Sequence, residues 1–228
     1  MNNWNLNDDL VTNPSPRIPI CLCIDTSRSM SHYGRIESIK EGILNLYNEL
    51  NNDFQLSNSA EIAIVTFDNE AEILENFETV SEKNLPDFKI SGNTALGKGV
   101  NLSLDILEQR KNLYKENGID YYQPWLIIMT DGASYGEPKY ILKQAQDRTF
   151  RLEYSKKLVV IPISIGHAAK KEELEKFTSK KETVVGIEGA QFNKFFTFIS
   201  RSVAQVVQSA GKANLDLDLN TIVDWGEL

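Results

Sequence analysis

Pro19-Ile20-Cys21-Leu22-Cys23-Ile24-Asp25-Thr26-Ser27-Arg28-Ser29 runs from a short apolar segment into a carboxylate and two hydroxyls at alternate positions. A continuous apolar run of this kind reads as a strand buried on both faces, the hallmark of a mostly parallel α/β sheet. The loop that leaves it can aim small oxygen side chains at one point. That is the outline of a site for a hard cation, since magnesium favours oxygen ligands in near-octahedral geometry.

Two further stretches supply oxygens where such a sheet would need them. Trp125-Leu126-Ile127-Ile128-Met129-Thr130 is a second apolar run, and it ends in Asp131-Gly132. Ser91-Gly92-Asn93-Thr94-Ala95-Leu96-Gly97 lies between the two, with Thr94 just ahead of a helical pattern. In open α/β sheets ligands gather outside the carboxyl ends of the strands, where the winding reverses. The three clusters are therefore expected to meet at one edge.

The order D-x-S-x-S, G-x-T-x-L-G and T-D-G, spread over residues 25 to 132, resembles the von Willebrand factor A domain with its metal-ion-dependent adhesion site. The resemblance covers roughly residues 17 to 208. It implies that Ser27, Ser29 and Thr94 are hydroxyl ligands and that Asp25 and Asp131 hold the ion directly or through water. It also implies Mg²⁺ or Mn²⁺ as the ion, and a Glu or Asp of a protein partner as the missing ligand. Within the family the chain looks like the short bacterial proteins of the tellurium-resistance type. That likeness implies a role in stress response or defence and phosphatase- or kinase-like partners.

The remaining pattern alternates strand and helix, which predicts a doubly wound, Rossmann-like sheet with helices on both faces. Ile36, Ile39, Ile43, Leu46, Tyr47 and Leu50 mark an amphipathic helix over 35–52. Ala60–Phe67 reads as a buried strand, turned by Asp68-Asn69-Glu70 into Ala71–Phe77, the antiparallel edge. Helical spacing returns from Leu96 to Leu107 with a stop at Gly118. A helix over 137–150, a strand over 158–165, a short helix from Lys170 and a strand over 183–187 follow. A last helix carries Phe192, Phe195, Phe196, Ile199, Val203, Val206 and Val207 as core. Residues 1–16 form a polar leader in which Trp4 and Leu10 are the candidates for docking, 17–208 the domain, and 209–228 a tail. In that tail Leu215, Leu217 and Leu219 alternate with acids, so it either straps onto the domain or binds a partner.

Bulk properties narrow the function. A length of 228 residues with 41% hydrophobic content suits one substantial core. A net charge of −8 argues against nucleic acid, whose binders carry a basic stripe, and favours attraction of divalent cations. No apolar stretch approaches the roughly 20 residues that span a bilayer, and Met1-Asn2-Asn3-Trp4-Asn5 has no signal-like pattern, so the expected compartment is the cytoplasm. Cys21 and Cys23 are two apart on one strand and point to the same face, which disfavours a mutual disulfide. Only His32 and His167 would join them in a zinc site.

Three other readings compete. Gly92–Lys98 opens like a phosphate-binding loop, G-x-x-x-x-G-K, but Gly99 stands where a Ser or Thr must hold magnesium. Asp25 can be imagined as a phosphotransfer nucleophile, yet Ser27 occupies the position of the usual second Asp. In the third, the ion is structural and the tail recruits. Neutral hydroxyls around a cation favour capture of an anion over catalysis, so a non-enzymatic adaptor is the leading expectation. Arg28, Tyr33, Ser134 and Tyr135 are the expected rim of the binding face.

Overall fold

In the computed structural model, which describes residues 13–80, 87–166, 171–180 and 184–209, each long apolar run is a strand. These are β1 (Ile18–Asp25), β2 (Ala60–Phe67), β3 (Ala71–Thr79), β4 (Trp125–Thr130), β5 (Val159–Ile165) and β6 (Val185–Ile187). They form one sheet in the order β3-β2-β1-β4-β5-β6. Every pair is parallel except β2 with β3, the antiparallel edge. The helices are α1 (Arg35–Asn51), α2 (Phe54–Ser59), α3 (Leu96–Glu116), α4 (Lys139–Tyr154), α5 (Lys171–Leu174) and α6 (Gln191–Gln208).

The pleat sorts the core into two layers, because alternate side chains of a strand face opposite ways. Ile20, Leu22 and Ile24 of β1 join Ile36, Ile39 and Ile43 of α1 and Phe192, Phe195 and Phe196 of α6 on one face. Cys21 and Cys23 join Val65, Phe67, Leu96, Val100 and Leu104 on the other, under α3 and α4. Both thiols are free and buried, and burial pushes Cys21 up to about 12. The aromatic stripe of α6 is core, as its spacing predicts. A Cβ on Gly42 would lie 2.3 Å from the Phe196 ring, so this glycine sets how closely α1 and α6 approach.

Two short elements escape the sequence pattern. Asp53 caps the start of α2, its carboxylate accepting from the N–H groups of Gln55 at 2.8 Å and Leu56 at 3.1 Å. The stretch Arg28–Gly34, expected as a loop, is a kinked 3₁₀ segment that ends in two left-handed residues, Tyr33 (φ 59°) and Gly34 (φ 64°). A helix of six residues and a bent 3₁₀ turn are too short to show periodicity. Trp4, Leu10, His167, Thr183 and the tail from Gly211 lie outside the described residues. Among the described residues no helix is long and apolar enough to cross a membrane.

At the amino ends of the strands, away from Asp25 and Asp131, Glu61 of β2 is fully buried with Arg17, Arg110 and Tyr114. Its carboxylate lies 3.3 Å from Arg17 Nε, 2.6 Å from Arg110 Nε, and accepts the Tyr114 hydroxyl. The group adds charge pairing to the apolar contact between α3 and β2.

Candidate functional site

The winding reverses beside β1, which has β2 on one side and β4 on the other. Chain direction places the carboxyl ends of β1 and β4 side by side, so Asp25 and Asp131 arrive at one edge. The parallel register aligns Ile24 with Met129. One step further, Thr130 donates its hydroxyl to Asp25 Oδ2 at 2.5 Å, and the Ser27 N–H donates to Asp25 Oδ1 at 2.8 Å.

The hydroxyls of the first loop reach the second aspartate. Ser29 donates to Asp131 Oδ1 at 2.7 Å, and the Ser27 and Ser29 oxygens lie 3.1 Å apart. Residues 102 positions apart in sequence thus form one chain of oxygens. The other Asp131 oxygen accepts from Arg35 Nη1, the first residue of α1.

Thr94 is brought to this edge by backbone. It pairs with Tyr135 in a two-bond bridge, N to O at 3.2 Å and O to N at 2.9 Å, which joins its loop to the one after Asp131. Ser91 N donates to Thr26 O at 2.9 Å, and Ala95 N donates to Asp68 O at 2.7 Å. Thr94 is buried. Gly92 has a φ of 64°, and a Cβ there would lie 2.5 Å from Asn69 Nδ2, so only glycine lets the β2–β3 turn come this close.

Electrostatics follow from burial. Asp25 is pushed up to about 6 by desolvation, which the hydrogen bonds from Thr130 and Ser27 offset in part and the nearby Asp131 charge reinforces. Asp68 moves the other way. Its partial burial favours the neutral acid, but bonds from Ser91 and the turn backbone outweigh that and hold it below its usual value.

Such a donor set suits a hard divalent ion. It offers hydroxyl and carboxylate oxygens, two of them already adjacent, and no soft ligand. Among the described residues no group of three or more His, Cys, Asp and Glu comes together, so the closed Cys- and His-rich centre of a structural zinc site is not formed there. The phosphate-loop alternative meets a direct obstacle. Glu137 accepts from the N–H groups of Gly97 at 2.7 Å and Lys98 at 3.0 Å, so a carboxylate already fills the start of α3. Lys98 itself turns to Glu70 at 2.6 Å.

The expected rim divides. Tyr33 and Tyr135 are 91% and 71% exposed, and Arg28 is exposed as well. Ser134 turns inward, its hydroxyl donating to Glu137 and its N–H to Glu173 at 2.6 Å. Sequence reasoning assigned Asp68 only to a turn, placed Arg35 only at the start of the first helix, and left Glu137 without a role. Each acts through a partner at least 23 positions away, which no local motif announces.

The family model described as the von Willebrand factor type A domain matches residues 20–211. No curated protein matches the chain. Among solved structures, a von Willebrand factor type A protein from Catenulispora acidiphila superposes with a TM-score of 0.62 at 16% identity, over 83% of this chain and 43% of that one. The vWF domain of the type V pili tip protein Mfa5 from Porphyromonas gingivalis gives 0.65 at 10% identity, over 85% of this chain and 97% of that one. Proximal thread matrix protein 1 from the mussel byssus, with a zinc-occupied MIDAS motif, gives 0.54 at 20% identity, over 88% and 47%. At these identities the likeness is one of fold. The chain spans less than half the length of the first and third of these.

Proposed function

The chain belongs to the von Willebrand factor type A domain family, and from that premise we propose that it is a binding module whose adhesion site holds Mg²⁺ or Mn²⁺ and captures an acidic residue of a protein partner. Ser27, Ser29, Thr94, Asp25 and Asp131 would hold the ion, which when bound supplies an electrophilic contact for an incoming carboxylate. The observation that carries the reading is the oxygen chain Ser27–Ser29–Asp131, closed across 102 positions at the switch point of the sheet.

The chain's own residues perform the positioning. Thr130 and the Ser27 N–H orient the Asp25 carboxylate, and burial keeps bulk water from it. Both Asp25 oxygens are engaged and the residue is buried, which weighs against a nucleophile poised for phosphoryl transfer. Arg28, Tyr33 and Tyr135 would form the face that meets the partner around the ion. The choice of a phosphatase- or kinase-like partner in a stress or defence system of the tellurium-resistance type rests on sequence resemblance alone. Recruitment by the tail concerns residues beyond the described ones.

Titrating chelator-stripped protein with Mg²⁺ in a calorimeter should give one saturable site, and a Glu-containing partner or peptide should bind only with the ion present. A blank isotherm removes the proposal. The pH dependence has a definite sign. Asp25 must be ionised to serve, and it is neutral below about 6, so affinity is full above that pH and falls by up to about tenfold per unit below it. Isotherms at pH 7.5 and 5 would check this, with proton release on binding small at the higher pH and approaching about one per ion at the lower, below the Asp25 value of about 6.

A further inference from the structure

The site already contains a cation. Arg35 Nη1 pairs with Asp131 Oδ2 and also donates to the Ser29 carbonyl at 3.2 Å, while Ser29 Oγ donates to the other Asp131 oxygen at 2.7 Å. The Arg35 side chain is 13% exposed and that of Asp131 2%, so this pair is shielded from solvent screening. The guanidinium has a fitted seat. Its carbon lies 5.3 Å from the Tyr33 ring centroid, and a Cβ on Gly166, the residue after β5, would come within 2.7 Å of Arg35 Nη2. The two left-handed residues Tyr33 and Gly34 turn the chain just before Arg35 and so deliver it there.

Asp25 and Asp131 together bring two negative charges at neutral pH, and one guanidinium answers only one of them. A divalent ion at the same carboxylates would meet the remaining charge but would also face the Arg35 cation across Asp131. Resting on the metal-binding reading above, we propose that Arg35 is an internal competitor of the metal. It neutralises Asp131 when the ion is absent and holds divalent affinity below what the oxygen ligands alone would give. Loading then needs a higher ion concentration, and the ion-free fold is protected from two unanswered buried carboxylates.

Arg35→Met keeps the length of the side chain and removes its charge. In calorimetry with Mg²⁺ on chelator-stripped protein, it should bind the ion roughly 10- to 100-fold more tightly than wild type, the range expected for loss of a competing charge-assisted hydrogen bond. Melting curves give a second readout. With chelator the variant should melt below wild type, and its rise on adding Mg²⁺ should exceed the wild-type rise. Arg35→Lys keeps a charge without the planar fork and carries the test if Arg35→Met does not fold, with affinity expected between the two. Equal or weaker Mg²⁺ binding by these variants, beside a wild type that does bind, overturns the competitor role and leaves the metal site standing. Absence of Mg²⁺ binding from all three proteins overturns the metal reading itself, and this inference with it.

Discussion

Asp25→Asn should abolish Mg²⁺ binding and at the same time make the metal-free protein harder to unfold at neutral pH. The two effects share one cause. Asp25 is fully buried and lies near a second carboxylate, which is why its folded-state value rises from 3.8 to about 6. For a group raised in this way, stability is fully present below 3.8 and is lost as pH climbs through 6. At pH 7 the ionised side chain therefore destabilises the fold, by a figure of order 1–3 kcal/mol. Asparagine keeps the shape and can still accept the Ser27 N–H and meet the Thr130 hydroxyl, without the charge.

Urea unfolding in chelator should place the variant's midpoint above wild type at pH 7, with the gap closing by pH 4. Excess Mg²⁺ should invert the order, because only wild type gains the stabilisation that ligand binding gives the native state. The loss of affinity should exceed the roughly 10- to 100-fold that removal of a supporting partner costs a metal site. A variant that binds Mg²⁺ like wild type would show that Asp25 does not serve the ion. One that is less stable at pH 7 would show that its charge is answered in the fold.

Glu61→Ala should cost about 3–5 kcal/mol of stability, the penalty for stripping the counter-charge from a buried ion pair. Here one carboxylate serves both Arg17 and Arg110, whose side chains are almost wholly inaccessible, and it also accepts from Tyr114. Without it two buried guanidinium groups lose the carboxylate they share. Since domains hold only about 5–15 kcal/mol in total, the variant should unfold at a much lower urea concentration, and poor expression is expected. Replacing Arg17, Glu61 and Arg110 together with apolar residues of similar volume should recover most of the loss, because a buried ion pair rarely outperforms good apolar packing. A change in Glu61→Ala below about 1 kcal/mol, the scale of an exposed pair, would mean that water reaches the cluster.

Much of the molecule is legible before any coordinates. Asp25 and Asp131 each end an apolar run, and the runs are buried parallel strands because residues shielded on both faces need no polar alternation. The antiparallel edge follows from a three-residue turn between two strand patterns, and the Phe stripe of the last helix follows from its spacing. Hydroxyls at alternate positions after the first strand are visible in the same way. Local periodicity records burial, and burial governs all of these.

Nothing local reports which charge answers which. Arg35 on Asp131, Glu137 across the start of α3, Asp68 on Ser91 and Arg17 with Arg110 on Glu61 are pairings between residues 23 to 96 positions apart, made only when the fold brings distant segments together. Alternation along the chain thus determined the layers, the strand ends and the oxygen-bearing loops of this protein. Folding in three dimensions decided the electrostatic partners, because a buried charge is satisfied by whatever lies within a few ångströms, and distance in space is set by topology rather than by separation in sequence.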